Sequence, residues 1–313
     1  MKKFILFVLL LACCIMRGQV VFRHITVEGN ISGYTTTLDH SLLNGHPHAI
    51  IFILPIWNNS GEAYDCNNYA QNVGVRYNGS RWTIVNMNKS VMLPSLTFNV
   101  LIAPENDVRC FSIPATRSNK SGLRSTLMVI DNPITYNKPN ILLLVTQRDT
   151  IVTNDNSQLV SYANGKWYIG NNNLFYPPCK GYDKRELKVG AKFNVMVIEN
   201  GIVPGFPQAI AFLHKATNVP PDANIEYINP HVSRFELATN SVFNTDPNTY
   251  LFATANWGWA QPDRPVDSPI GQQYTDSPLV GWQTRTNSKW SIVNATAVPF
   301  KEGTLINIVA IKP

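Results

Sequence analysis

The sequence predicts an all-β protein, in which three tandem antiparallel modules, each a β-sandwich or a small barrel, follow an amino-terminal signal peptide. Three observations support this prediction. A strand-turn-strand motif occurs three times along the chain. Apolar residues alternate or form short β-branched runs bounded by Gly, Pro and Asn, which is the pattern of strands. No later stretch has the long apolar periodicity and the capping residues of a helix, so we expect no helix longer than about three turns.

Residues 1–18 have the features of a secretory signal peptide. Lys2 and Lys3 form a basic start, and the apolar run over residues 4–16 is too short to span a bilayer as a helix. Gly18 is a small residue suited to the position before a cleavage site. We therefore expect the mature chain to begin at the next residue and to contain no membrane span.

The same segment supports a second interpretation. Leu10-Leu11-Ala12-Cys13 resembles a bacterial lipobox, in which Cys13 would be lipidated and become the first mature residue. Against it, no polar tether follows this segment before the first predicted strand. Both alternatives, a secreted protein and an outer-surface lipoprotein with a lipid anchor at Cys13, place the chain outside the cytoplasm.

The charge of the chain argues against nucleic acid as a partner. The sequence carries 26 Lys and Arg against 20 Asp and Glu, a net charge of +6. Lys2, Lys3 and Arg17 supply three of these charges, so the mature chain carries +3 and lacks the clustered Lys and Arg of a nucleic-acid surface. Charged residues make up 15% of the chain, below the roughly 25% of ordinary globular domains. A neutral polar surface suits an extracellular protein.

Three cysteines, Cys66, Cys110 and Cys179, lie outside the signal segment. They allow at most one internal disulfide and leave an odd thiol, and the sequence does not decide which pair would form. Their spacing is not that of a disulfide scaffold or of a zinc site. We expect no metal and no cofactor.

The repeated motif is an apolar strand, a short turn, a basic residue and then Trp-x-Ile-x-Asn. Its copies are VGVRYNGSRWTIVN (73–86), LVSYANGKWYIGN (159–171) and LVGWQTRTNSKWSIVN (279–294). Each copy is preceded by a turn in which Pro follows Asn by two or three residues, which we call the Asn-Pro turn, and this turn leads into a strand. Each copy is followed by a closing strand. The earlier segments are LLNGHPHAIIFI (42–53), TYNKPNILLLVT (135–146) and VFNTDPNTYLFAT (242–254); the closing strands are LTFNVLI (96–102), AKFNVMVI (191–198) and TLINIVAI (304–311).

These repeats divide the mature chain into modules at about residues 20–104, 108–200 and 208–313. The third module contains a long insertion, from Asn256 to Pro278, before its hairpin. We interpret this insertion as a loop, because loops tolerate added residues and are where function usually resides.

The hairpins of the first two modules contain Asn-Gly pairs, Asn78-Gly79 and Asn164-Gly165. Asn-Gly readily adopts the two positive φ angles of a type I′ turn. We predict that residues 73–77 pair antiparallel with residues 81–85, and that Trp82 lies on the interior side.

The chain resembles a family of uncharacterised, secreted bacterial β-rich repeat modules, here in three copies. The residues that carry the resemblance run from Gly74 to Asn86 (Gly-Val-x-Tyr-Asn-Gly-x-x-Trp-x-Ile-x-Asn), from Asn137 to Pro139, and over the closing Phe-Asn-Val at 98–100 and 193–195. The third copy departs from the pattern, because Ile-Asn-Ile replaces Phe-Asn-Val at 306–308. The resemblance locates the modules and implies no activity.

The Trp and Asn residues of the motif are interpreted as structural. Residues i, i+2 and i+4 of a strand share a face, so Trp82, Ile84 and Asn86 would point to one core. The Trp would pack inside, and the Asn would bond a neighbouring main chain. The basic residue before each Trp would face solvent.

Residues that differ between the modules are the better candidates for ligand binding. Aromatic rings stack on the apolar face of a sugar, and neighbouring polar groups bond its hydroxyls. The candidates are Trp57 and Tyr64 in the first module, and Trp257, Trp259, Asp263, Asp267 and Tyr274 in the third. The alternative is that these rings only hold long loops in place. His40, His46 and His48 could bind zinc or copper, although the matching positions elsewhere, Lys138 and Asp246, favour solvated turn residues.

No motif of a known catalytic centre is present. We therefore expect a non-enzymatic secreted or cell-surface binding or adhesion protein, whose partner is an extracellular glycan or a surface protein. One alternative is a structural component of an extracellular layer. Another is a glycoside hydrolase that uses two carboxylates, a pair that sequence alone does not reveal.

Overall fold

The computed structural model describes residues 20–57, 71–104, 106–121, 126–148, 152, 154–171, 186–215, 234–236, 246–259, 278–283, 289–294 and 304–313. These residues form strands and connecting turns, with two short 3₁₀ helices at Glu28–Asn30 and Pro133–Thr135. The prediction of an all-β fold is confirmed. Within the ranges just given, no helix is long and apolar enough to cross a membrane.

The strands fall into three sets along the chain, one for each predicted module. The first set is β1 (Val20–Ile25), β2 (Ile31–Ser32), β3 (Thr35–Leu38), β4 (Ile51–Trp57), β5 (Val73–Tyr77), β6 (Trp82–Asn86) and β7 (Thr97–Ile102). The second is β8 (Cys110–Pro114), β9 (Lys120–Ser121), β10 (Leu127–Val129), β11 (Leu142–Arg148), β12 (Gln158–Ala163), β13 (Lys166–Asn171) and β14 (Lys192–Ile198). The third is β15 (Ile210–Lys215), β16 (Arg234–Glu236), β17 (Tyr250–Trp259), β18 (Pro278–Gln283), β19 (Lys289–Asn294) and β20 (Leu305–Ile311).

Each module divides into two groups of strands. Its first strand, its closing strand and the strand after the Asn-Pro turn form an antiparallel triplet: β1-β7-β4, β8-β14-β11 and β15-β20-β17. Its remaining strands, which include the Trp hairpin, form a second group: β2-β3-β6-β5, β9-β10-β13-β12 and β16-β19-β18. The same division therefore occurs three times.

Every sheet combines the triplet of one module with the hairpin group of another. The triplet of the first module continues into the hairpin group of the third module. The triplet of the second continues into the hairpin group of the first, and the triplet of the third continues into the hairpin group of the second. The joins are three parallel strand pairs, β4 with β18, β11 with β5 and β17 with β12, which we call the seams. Because each module joins the two others in the same sense, the three modules close into a ring.

The seams share one register. Ile56 pairs with Val280 at the first seam, Arg148 with Val75 at the second and Asn256 with Val160 at the third. Each of the three valines lies opposite the Ile of its own Trp-x-Ile-x-Asn motif. The ring therefore follows an approximate threefold pattern, which the sequence analysis did not predict.

The largest apolar core lies where the triplets of the three modules meet. It contains side chains from all three modules, among them Phe52, Leu101, Leu144, Met196, Phe252 and Ile308. Two further cores fill the first and second modules. The closing strand at the centre of each triplet is covered on both faces, so β7, β14 and β20 are buried at every residue except the first. A strand of this kind has a nearly continuous apolar sequence.

The two Asn-Gly hairpins differ. In the second module Asn164 and Gly165 have φ angles of 50° and 75°, as a type I′ turn requires. In the first module the prediction of this turn is wrong. In both hairpins a Tyr pairs with the Trp of the motif, Tyr77 with Trp82 and Tyr162 with Trp167, so the two loops have equal length. Asn164 and Gly165 are the central residues of the second loop, whereas Asn78 and Gly79 stand one residue earlier in the first. Gly79 therefore takes the first central position, with φ 105°. The two segments do pair antiparallel, but one residue later than predicted, with residues 73–77 opposite residues 82–86. The interior position of Trp82 is confirmed.

Candidate functional site

The predicted ligand-binding residues of the third module are only partly within the described structure. β17 continues through Trp257 to Trp259, so the predicted loop does not begin at Asn256. The strand is longer than expected because β12 extends beside it, with Trp259 opposite Tyr162. Asp263, Asp267 and Tyr274, and Tyr64 of the first module, lie outside the described residues.

Trp57 and Trp257 occupy matching positions in the ring. Each follows directly after the residue that pairs across its seam, Ile56 in the first module and Asn256 in the third. Trp57 is the last residue of β4 and pairs with Gly281 of β18. Beside Trp257 the register of β17 against β12 shifts, since Val160 pairs with Asn256 but Tyr162 pairs with Trp259. The fold thus places two of the predicted aromatic positions one residue after the matching pairs of two seams.

The Trp residues of the repeated motif are structural, as predicted. Trp82, Trp167 and Trp290 are buried. Their indole nitrogens donate to the main-chain oxygens of His46, Lys138 and Asp246 at 2.8, 2.9 and 2.8 Å. Each acceptor immediately precedes the Pro of its Asn-Pro turn, so each Trp ties a hairpin to the turn that leads into the triplet of the same module. Asn86, also fully buried, donates to the main-chain oxygen of Ser90 at 2.9 Å.

Arginines from neighbouring modules cover two of these rings. The guanidinium carbon of Arg148 lies 4.7 Å from the ring centre of Trp82, and its Nη2 donates to the oxygen of Pro47 at 2.8 Å. Arg23 lies 5.9 Å from the ring centre of Trp290 and donates in the same way to the oxygen of Pro247. Cation–π contacts of this kind stabilise most when they are shielded from water, which applies to the half-buried Arg148 more than to the exposed Arg23. Both arginines connect one module to another through these contacts.

The Asn residues of the closing strands connect the modules in a ring of hydrogen bonds. Each is buried and donates through Nδ2 to a main-chain oxygen in the strand after the Asn-Pro turn of another module. The bonds are Asn99 to Leu251 at 2.8 Å, Asn194 to Ile51 at 2.9 Å and Asn307 to Leu143 at 2.9 Å.

A second set of contacts follows the same ring but is incomplete. The main-chain nitrogen of Ile53 donates to Thr146 Oγ1 at 3.2 Å, and that of Val145 donates to Thr254 Oγ1 at 3.0 Å. The matching residue of the first module is Leu54, which lies opposite Asn99 as Thr146 lies opposite Asn194. Leu54 has no hydroxyl, so the third contact cannot form.

A cavity of about 60 Å³ lies beside these threonines, where β4, β11 and β17 meet the first residues of β5 and β12. Its apolar wall includes Ile53, Leu54, Pro55 and Val73, and its polar wall includes Thr146, Gln147, Gln158 and Thr254. None of its described lining residues ionises. The cavity is therefore suited to a small neutral group instead of to acid–base chemistry.

Buried amides surround the polar wall. Gln158 Nε2 donates to Gln147 Oε1 at 2.7 Å, and Asn154 Nδ2 donates to Asn171 Oδ1 at 2.8 Å. Gln147 is 1% exposed, and its Nε2 has no hydrogen-bond partner among the residues that the structure describes. Buried amide nitrogens are nearly always paired, so this atom is the exception in the network.

The predicted histidine cluster is spread along its segment. His40 stacks on Phe22 with ring centres 5.1 Å apart, and its Nδ1 accepts from the nitrogen of Leu42. His46 offers its main-chain oxygen to Trp82. Across the described part of the chain, no group of three or more His, Cys, Asp or Glu side chains could hold a metal ion.

Among the cysteines, Cys110 is a free thiol, and burial raises its pKa. Cys66 and Cys179 lie outside the described residues. A thiol whose pKa is raised by burial is a poor nucleophile.

A family model for a domain of unknown function (DUF7452) matches residues 13–102 and matches again at residues 95–197. The chain belongs to the DUF7452 family. No curated protein and no solved structure matches it.

The cavity of this DUF7452 chain was missed by the sequence analysis. Thr146 and Gln147 look like ordinary strand residues in the sequence, and Gln158 follows more than ten residues later. A signal was present, since the alternation places Leu54, Thr146 and Thr254 at matching positions of three strands. Without the ring arrangement, however, nothing indicates that these strands meet.

Proposed function

We propose that the chain is a non-enzymatic, secreted or cell-surface binding protein of bacterial origin, and that its ligand is an extracellular glycan. The observation that carries the proposal is the matching position of Trp57 and Trp257 at two seams of one ring. Aromatic rings provide stacking surfaces for sugars. Two weak sites carried by one chain bind a repetitive ligand with avidity.

The ring supports a multivalent arrangement. Loops that leave matching strands start from matching positions around the ring, because the three seams share one register. The second module has Asp149 after Arg148 in place of Trp. We therefore propose two aromatic sites, one beside the seam between β4 and β18 and one beside the seam between β17 and β12.

We also propose that the third module is a further copy of the DUF7452 domain, although the family matches end at residue 197. Three features support this. Its triplet β15-β20-β17 has the order of the other two, Trp290 bonds Asp246 as Trp82 bonds His46, and Asn307 bonds the next module as Asn99 does.

A glycan array tests the proposed function. We expect the mature chain to bind a subset of glycans, the Trp57→Ala and Trp257→Ala variants to bind more weakly, and the double variant to lose binding. Arg117→Ala, an exposed position away from the seams, is the control. The proposal is wrong if the folded protein binds no glycan, or if the double variant binds as the wild type does.

A further inference from the structure

The cavity beside Thr146 and Thr254 has an apolar wall and a wall of hydrogen-bond donors. Each threonine Oγ1 accepts a hydrogen bond from a main-chain nitrogen, so each hydroxyl still has its own hydrogen to donate. Gln147 lines the same cavity, and its buried Nε2 lacks a partner. All three residues therefore line the cavity and keep a side-chain hydrogen to donate.

The same cavity is also lined by apolar residues, among them Leu54, Pro55 and Val73, which we group as its apolar wall. A ligand group that fits both walls needs an acceptor oxygen on one side and a small apolar part on the other. The described lining contains no cation, which disfavours a carboxylate or a phosphate, since an unpaired charge is costly to take out of water. The cavity volume, about 60 Å³, has room for about four to six water-sized groups at roughly 10–15 Å³ each.

We propose that this cavity binds the acetamido group of an N-acetylated sugar. The group has four heavy atoms, an acceptor oxygen, a donor nitrogen and a methyl. Its oxygen accepts from Gln147 Nε2 or from a threonine hydroxyl, its methyl packs on the apolar wall, and its N–H donates to Oε1 of Gln158. The sugar ring stays outside, because the cavity is partly open to solvent. This inference rests on the proposed glycan-binding function and names the class of glycan.

Saturation-transfer NMR on the mature chain tests the inference, with N-acetylglucosamine and glucose as probes. We expect transfer to the acetamido methyl and none to glucose. The Gln147→Met variant keeps the length of the side chain and removes the amide, so its affinity for N-acetylglucosamine should fall at least tenfold. Gln208→Met, at an exposed position outside the cavity, should bind as the wild type does. Equal binding of both sugars, or unchanged binding by Gln147→Met, would overturn the inference.

A crystal of the wild-type protein soaked in N-acetylglucosamine gives a second test that needs no variant. We expect density for the acetamido group within hydrogen-bond distance of Gln147 Nε2, and water alone in the cavity would contradict the inference. The two proposals fail separately. Array binding that depends on Trp57 and Trp257 but not on Gln147 removes only the acetamido site, whereas the absence of any glycan binding removes both.

Discussion

The side-chain nitrogen of Asn194 donates a hydrogen bond to the main-chain oxygen of Ile51 at 2.9 Å, and thereby connects residues 143 positions apart in the sequence. The same bond links Asn99 to Leu251 and Asn307 to Leu143. Within its own module, each acceptor residue pairs with the residue that lies three positions after the closing-strand Asn, as Ile51 does with Ile102. Every module therefore contacts the next through one equivalent pair, and the ring closes when the third module contacts the second.

Replacing Asn194 with Ala should destabilise the protein by about 1–3 kcal/mol, because the buried oxygen of Ile51 would lose its partner. Urea denaturation of the protein measures this change. Asn119→Ala is the control, since its side chain donates to the oxygen of Pro114 in an exposed position and should cost less. Equal effects of the two substitutions would show that the connection between modules adds nothing beyond an ordinary surface bond.

Replacing Trp82 with Ala should destabilise the protein by about 3–5 kcal/mol, the range for removing a large buried aromatic. Trp82→Phe retains a ring but leaves the oxygen of His46 without its donor, and should cost less than the Ala variant. Thermal and urea unfolding measure both. A Trp82→Ala protein that melts like the wild type would mean that the ring is not part of the core.

Replacing Gly74 with Ala should weaken the seam between β5 and β11. An added Cβ would lie 2.8 Å from the oxygen of Gln147 and 2.8 Å from Sδ of Met87, and overpacking of this kind costs about 1–3 kcal/mol. At Gly29 a Cβ would have no atom within 4 Å, so Gly29→Ala is the matched control and should change stability by less than about 0.5 kcal/mol. Similar unfolding curves for both variants would contradict the close approach of the two strands.

Stability should fall as the pH is lowered from 7.5 to 5.5, because burial lowers the pKa values of His24 and His214. Below the unfolded value of about 6.5, the unfolded chain binds protons that the folded chain does not. The stabilisation is therefore complete above that pH and is lost as the pH falls toward the folded pKa values, by up to about 1.4 kcal/mol per pH unit for each histidine.

The control for this pH dependence comes from the chain itself. His24 lies opposite Phe98, and the matching position of the second module is Ile113, which lies opposite Phe193. His24→Ile therefore gives the first module the residue that the second module has at this position. With His214→Ile added, the unfolding free energy should change much less over the same pH range. An undiminished slope in this double variant would assign the effect to other groups.

The local structure could be predicted from the sequence because it depends on near neighbours. Alternation along a strand places Trp82, Ile84 and Asn86 together, and their burial follows. The turn at Asn164-Gly165 follows from the left-handed preference of its residues. The same dipeptide at Asn78-Gly79 led to a wrong prediction of the turn. The position of the turn there is set by the pairing of Tyr77 with Trp82 and not by the dipeptide.

The ring itself could not be predicted in this way. An apolar strand such as β4 can pair with any strand edge of matching length, and nothing in residues 51–57 indicates that the partner lies more than 200 residues later. Gly74 is the exception in hindsight, since an absent side chain in a strand often marks a close approach of main chain. The candidate cavity depends on the ring, so it was equally hidden.

Unfolding of the ring as one unit is the central expectation, because each sheet contains strands of two modules. The most direct measurement is ¹⁹F NMR of the protein labelled with 5-fluorotryptophan, with the signals of Trp82, Trp167 and Trp290 assigned by substitution and followed through a urea titration. One buried Trp then reports on each module. We predict that the three native signals disappear at the same urea concentration. Three separate transitions would show that the modules fold independently and would contradict the closed ring.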